Sequence, residues 1–135
     1  MLIDALILDC RTDRRGDCFT PDYLKELAEK PLSRKNSAIT LNWNPKVKVG
    51  TIQKIWYKNR KLYAEVKLNK KLGTTIIEEH VLAPAVKIIK SDTKKIKGKV
   101  TRKIKQGTLD NLSLIDKGIR SVVNATMVFR KRGGE

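Results

Sequence analysis

A mostly-β α+β domain with about seven strands and two or three short helices is the architecture this sequence predicts. Three features point to it. Residues 47–51 and 61–68 alternate apolar and polar side chains with period two, and Asn59-Arg60 stands between them where a hairpin turn belongs. The other apolar runs are short and bounded by Gly, Pro, Asn or Asp, a strand's length rather than a helix's. Helix-start signals are confined to two short segments. At 135 residues the chain reads as one domain, 1–135, long enough to bury a core without metal or disulfide staples.

Residues 2–9, LIDALILD, predict a buried first strand. A turn follows at Asp13–Asp17, with Gly16 free to take positive φ. Thr20-Pro21-Asp22 opens a helix: Thr as N-cap, Pro at the first helical position, Asp at the positive end of the dipole. Leu24, Leu27 and Ala28 share one face, and Pro31 stops the helix. Ser33–Asn36 is a loop. Residues 38–43 form a strand that Asn44-Pro45 ends, and 47–68 form the hairpin. Thr74 or Thr75 caps a second helix from Ile76 to Leu82, closed by Pro84. Strands then cover 85–89 and 94–104, joined around Ser91-Asp92. Strands at 109–115 and 125–129 flank a turn at Lys117-Gly118, and 130–135 is a frayed basic tail.

Thirty Lys and Arg against fourteen Asp and Glu give a net charge of +16. That excess favours a negatively charged partner: nucleic acid, an acidic protein lattice or anionic lipid. Residues 1–30 carry five bases and seven acids, so the positive charge belongs to the body of the domain. No apolar run is long enough to span a membrane, and the acidic start MLIDALILD does not suit a signal peptide. Cys10 and Cys18 make neither a C-x-x-C motif nor a zinc set. Two reduced thiols are expected, with a disulfide as the alternative. One His excludes a multi-histidine metal centre, and no cofactor or metal is expected.

The densest charge lies in 87–105. Lys87, Lys90, Lys94, Lys95, Lys97, Lys99, Arg102, Lys103 and Lys105 stand there against Asp92 alone. On a hairpin these bases make a ribbon suited to phosphates or an acidic protein surface. Edge protection by lysines also places bases on strands, but needs fewer of them. No aromatic residue in the segment could stack on bases. Ile88, Ile89, Ile96, Val100 and Ile104 are its core-facing residues. His80 reads as an exposed or half-buried residue of the short helix, since no serine sits in a G-x-S-x-G context. Asp13 and Asp17 read as turn residues rather than cation ligands.

Several motifs follow one another along the chain. Arg14-Arg15-Gly16-Asp17-x-Phe19-Thr20-Pro21 stands between the first strand and the first helix. Leu41-Asn42-Trp43-Asn44-Pro45 precedes Val49-Gly50-Thr51-Ile52. Leu62-Tyr63-Ala64-Glu65-Val66, Leu82-Ala83-Pro84-Ala85-Val86-Lys87 and Leu109-x-x-Leu112-Ser113-Leu114-Ile115-Asp116 follow. This order resembles the prohead (capsid maturation) serine proteases of tailed phages, over nearly the whole chain. The resemblance implies a single-domain, β-barrel-like prohead protease fold. It places the family's catalytic His at Pro45 and its nucleophilic Ser at Ala83 or Ala85. Neither replacement can move a proton or attack a carbonyl. Ser113 matches a serine that is structural in the family.

The resemblance thus implies no catalytic residues. It implies a non-catalytic auxiliary, decoration or internal protein of a phage head, with the major capsid protein lattice as partner and packaged DNA as a second one. The place is the virion, and the host cytoplasm during assembly. The alternatives are a nucleic-acid-binding head protein and an active maturation protease with a displaced catalytic set.

Overall fold

The computed structural model describes residues 2–10, 17–30, 37–73, 76–116 and 126–129. Their strands are β1 (Leu2–Asp9), β2 (Asp17–Phe19), β3 (Ala38–Leu41), β4 (Asn44–Lys58), β5 (Lys61–Leu68), β6 (His80–Ile96), β7 (Lys99–Asp116) and β8 (Thr126–Phe129). The helices are α1 (Pro21–Glu29) and α2 (Ile76–Glu79), with a 3-10 turn at Lys70–Leu72. The fold is therefore mostly β, α+β and barrel-like. All eight strands belong to one sheet, ordered β2-β7-β3-β4-β5-β1-β8, with β6 on the other edge of β7. β6 comes back against β1 and β8, so the sheet curls into a half-barrel.

β7 organises the sheet. Its length lets one edge hold two short strands in series, β2 at Arg102–Ile104 and β3 at Leu112–Leu114, both parallel to it. Its other edge pairs antiparallel with β6 from His80↔Asp116 to Ile96↔Lys99. The antiparallel meander β3-β4-β5-β1 continues from β3. Each of its two hairpins turns on two residues with positive φ: Asn42-Trp43 (49° and 62°) and Asn59-Arg60 (50° and 63°). Lys97-Gly98 (48° and 80°) does the same between β6 and β7. Such turns match the right-handed twist of the strands they join.

α1 forms as its cap predicts. Thr20 Oγ1 accepts from the Tyr23 N–H at 3.2 Å, and Pro21 occupies the first turn. Tyr23, Leu24 and Leu27 are buried against β4, β5 and β7. The Thr20 N–H also donates to the Ile104 carbonyl at 3.2 Å, which ties the helix start to β7. Phe19 stacks on Tyr23 with ring centroids 5.7 Å apart. Ile3, Ala5 and Ile7 of β1, Leu62, Ala64 and Val66 of β5, and Ile104, Leu112 and Leu114 of β7 complete the core.

Several expectations need correction. Asn44-Pro45 does not end a strand; the chain reverses at Asn42-Trp43 and Asn44 opens β4. The second helix stops at Glu79, and His80–Pro84 is strand. Pro84 is tolerated because β6 hydrogen-bonds to β7 on one edge, and an edge strand has room for a missing N–H. Ser91-Asp92 is no turn, and 80–96 and 99–116 are continuous strands that bulges bend rather than break. Asp17 lies in β2 rather than in a turn. The turn residues before Asp17, the loop 33–36, the cap at Thr74 or Thr75, the Lys117-Gly118 turn and the tail 130–135 lie outside the described residues.

Candidate polyanion interface

The β6–β7 hairpin has two parts. Near the barrel its residues are buried: Leu82, Ala83, Leu109, Leu112 and Leu114. Towards the Lys97-Gly98 turn it runs out of core. Ile89 and Val100 are 58% and 57% exposed, which corrects their expected inward placement. Ile104 is fully buried and Ile88 packs against the core, as expected; the Ile96 side chain lies outside the described residues. The register skips Ile89 on β6 and both Asp110 and Lys105 on β7. Past Ile104, towards the Lys97-Gly98 turn, the core-backed sheet gives way to a ribbon of exposed side chains.

Period two sorts the ribbon's side chains. Lys94, Lys99, Thr101 and Lys103 share the face opposite that of Ile104, because directly opposed residues lie on one face and Ile104 points to the core. Lys95 and Val100 lie on the other, at the level where the core has ended. Lys87, Lys90, Lys94, Lys95, Lys97, Lys99 and Lys103 are exposed and form no ion pair among the described residues.

Two of the nine bases are engaged within the chain. Lys105 bonds the Asp92 carboxylate, and this bond, then the Lys105, Lys90 and Lys94 charges, hold that carboxyl below its ordinary range. Arg102 donates from Nε to Asp17 Oδ1 at 2.8 Å and from Nη2 to Oδ2 at 3.0 Å. The guanidinium thereby joins β2 to the root of the ribbon. Sequence proximity gave no sign of this pair, since its members stand 85 residues apart.

The positions that the protease resemblance marks lie elsewhere in the sheet. Ala83 of β6 is fully buried and stands opposite Ser113 of β7, which stands beside Thr40 of β3. One rung further, Leu82, Leu114, Leu41 and Asn44 line up, so Pro45 on β4 is three strand steps from Ala83. Pro45 is exposed, and Ala85 is half-buried opposite Asn111.

The Ser113 hydroxyl accepts from Thr40 Oγ1 and from the Trp43 N–H, each at 2.9 Å, and donates to the Thr40 carbonyl at 3.1 Å. Its hydrogen is used, and it locks the Asn42-Trp43 turn onto β7. His80 begins β6 opposite Asp116, and its buried Nδ1 has no hydrogen-bond partner among the described residues. Ala83 and Ser113 lie on the opposite face of the sheet from His80 and Asp116, three residues along each strand. His80 and Ser113 therefore form no imidazole–hydroxyl pair.

Among the described residues, no three His, Cys, Asp or Glu are grouped to hold a metal, and no helix is long and apolar enough to cross a membrane. Comparison with protein-family models, curated proteins and solved structures finds no match.

Proposed function

We propose that this chain is a non-catalytic structural component of a phage head, an auxiliary, decoration or internal protein that binds an acidic capsid surface through the β6–β7 ribbon. One observation carries the binding part: seven exposed lysines that form no ion pair among the described residues are presented on the β6–β7 hairpin. Lysine ammonium groups are compact charges on flexible stems, suited to a surface of acidic side chains rather than to one planar ligand. Such contacts speed encounter and set orientation, and salt weakens them. The phage-head setting rests on the ordered resemblance to prohead proteases. The non-catalytic part rests on Pro45 and Ala83 or Ala85 where that family holds its His and Ser.

Packaged duplex DNA is the second reading. A two-stranded ribbon fits a major groove about 12 Å wide. Lysines without aromatics would then contact phosphates and not read sequence. A cryo-EM reconstruction of native heads assembled with this chain tests both. Ribbon density against the capsid lattice is the expected result. Density against ordered DNA would move the reading to the second, and heads without the chain would overturn both.

A further inference from the structure

The structure brings together two cysteines that the ribbon's function does not use. Cys10 follows β1, and its N–H donates to the Arg60 carbonyl at 3.1 Å. Cys18 is the middle residue of β2, in register with Lys103 at the ribbon's root. The Cys18 thiol donates to the Cys10 carbonyl at 3.1 Å, so its sulfur already lies against the backbone of the other cysteine. A disulfide needs Cα atoms about 4.4–6.8 Å apart, and the Sγ–carbonyl contact brings the Cys18 sulfur to the Cys10 backbone.

We propose that Cys10 and Cys18 are a thiol–disulfide pair, oxidised by a low-molecular-weight disulfide of the glutathione class, that clasps β2 to the end of β1. The two thiols have different access: Cys18 is half-buried and Cys10 is buried. Cys18 thiolate attacks one sulfur of glutathione disulfide, forming the mixed disulfide and releasing one glutathione. Cys10, deprotonated, attacks the Cys18 sulfur, forming the internal bond and releasing the second glutathione. Two protein thiols lose two electrons and two protons, and one glutathione disulfide becomes two glutathione thiols. Burial pushes the Cys10 thiol up, with Arg60 opposing and Cys18 and Asp9 adding, so Cys10 must give up its proton before the second attack.

The clasp lies where it can act on the ribbon. Asp17, which grips Arg102, adjoins Cys18, so a bond at Cys18 fixes the strand that holds the ribbon's root. This inference stands apart from the capsid reading, because it concerns the chain's own thiols.

The experiment incubates the folded full-length chain with glutathione disulfide and reads intact mass, free thiols and non-reduced peptide maps. The expected product is a monomer that has lost two hydrogens, with both thiols consumed and residues 10 and 18 cross-linked. Its melting temperature rises, and dithiothreitol reverses the rise. Cys10→Ala traps glutathione on Cys18, whereas Cys18→Ser leaves Cys10 unmodified in folded protein. If Cys10→Ala does not fold, the Cys18→Ser result and the peptide map of the unsubstituted chain decide. A stable glutathione adduct on the unsubstituted chain, two unreacted thiols, or cross-links only between chains would each overturn the proposal.

Discussion

Asp17 and Arg102 face each other across the β2–β7 pair and share two hydrogen bonds, at 2.8 and 3.0 Å. The carboxylate is buried and the guanidinium partly exposed, so the pair is more than a surface contact. It takes one base out of the ribbon's binding face and uses it to anchor the ribbon. Asp17→Asn should destabilise the fold by about 1–3 kcal/mol, the range for a charge-assisted bond lost at a part-buried site. Chemical denaturation of Asp17→Asn, Arg102→Gln and the double variant measures the coupling. Additive losses would mean that the two side chains stabilise the fold independently. Arg102→Gln should leave polyanion affinity closer to native than Lys99→Gln does.

Ser113 tests whether the serine that the prohead-protease resemblance marks is structural. Its replacement by Ala leaves the Trp43 N–H and the Thr40 hydroxyl without their shared partner. The expected cost is about 1–3 kcal/mol in thermal or denaturant unfolding. A Ser113→Ala chain as stable as the parent would show that the Asn42-Trp43 turn holds without this lock.

Tyr23 supplies a pH test. Burial, then the Asp110 and Glu26 charges, push its hydroxyl from 10.0 up to about 12. The unfolded chain therefore loses this proton at lower pH than the folded one. Below pH 10 the group is neutral in both states; between about 10 and 12 deprotonation favours the unfolded state, and stability falls. The loss by pH 12 is on the order of 2–3 kcal/mol. Tyr23→Phe should flatten that part of the alkaline profile. Since Tyr23 Oη has no hydrogen-bond partner among the described residues, the variant should be at least as stable as the parent at neutral pH. Parallel alkaline curves for the two chains would contradict the account.

Gly107 stands where the ribbon leaves the barrel. A Cβ there would run into the Lys87 carbonyl oxygen across the strand pair and press on Tyr23 Oη. Backbone cannot swing aside as a side chain can. Gly107→Ala should cost about 1–3 kcal/mol, read by thermal unfolding. An unchanged melting temperature would mean that β6 shifts freely against β7.

Local chemistry made part of this fold legible. Thr20-Pro21-Asp22 predicts α1 because each residue satisfies a helix-start requirement within one turn. The alternation at 61–68 predicts β5 because one face must be buried. The ribbon's bases were visible by count, but its geometry was not. Ser91-Asp92 has turn-like composition, yet the chain reverses at Lys97-Gly98, where Gly98 supplies one positive φ and Lys97 accepts the other. Ile76 to Leu82 reads as one helix from its Thr cap and acidic first turn, but pairing with β7, which covers Leu82, makes strand from His80 onward. β2 is three residues long and exists because β7 and Arg102 hold it, interactions that no local pattern encodes.

The claim on which the functional account turns is that the ribbon is the polyanion-binding element. Lys94, Lys95, Lys97 and Lys99 are all exposed, so reversing them together to Glu should leave the fold intact while lowering the net charge of +16 by eight. The measurement is equilibrium binding of the native chain and this variant to polyglutamate-coated and duplex-DNA-coated surfaces, over a salt series, beside their circular dichroism. The account predicts native circular dichroism for both, native-chain binding to polyanion that weakens steadily with salt, and at least about a tenfold loss in the variant, a difference near 1.4 kcal/mol. Equal binding by a natively folded variant would place the polyanion contact elsewhere on the protein and contradict the claim.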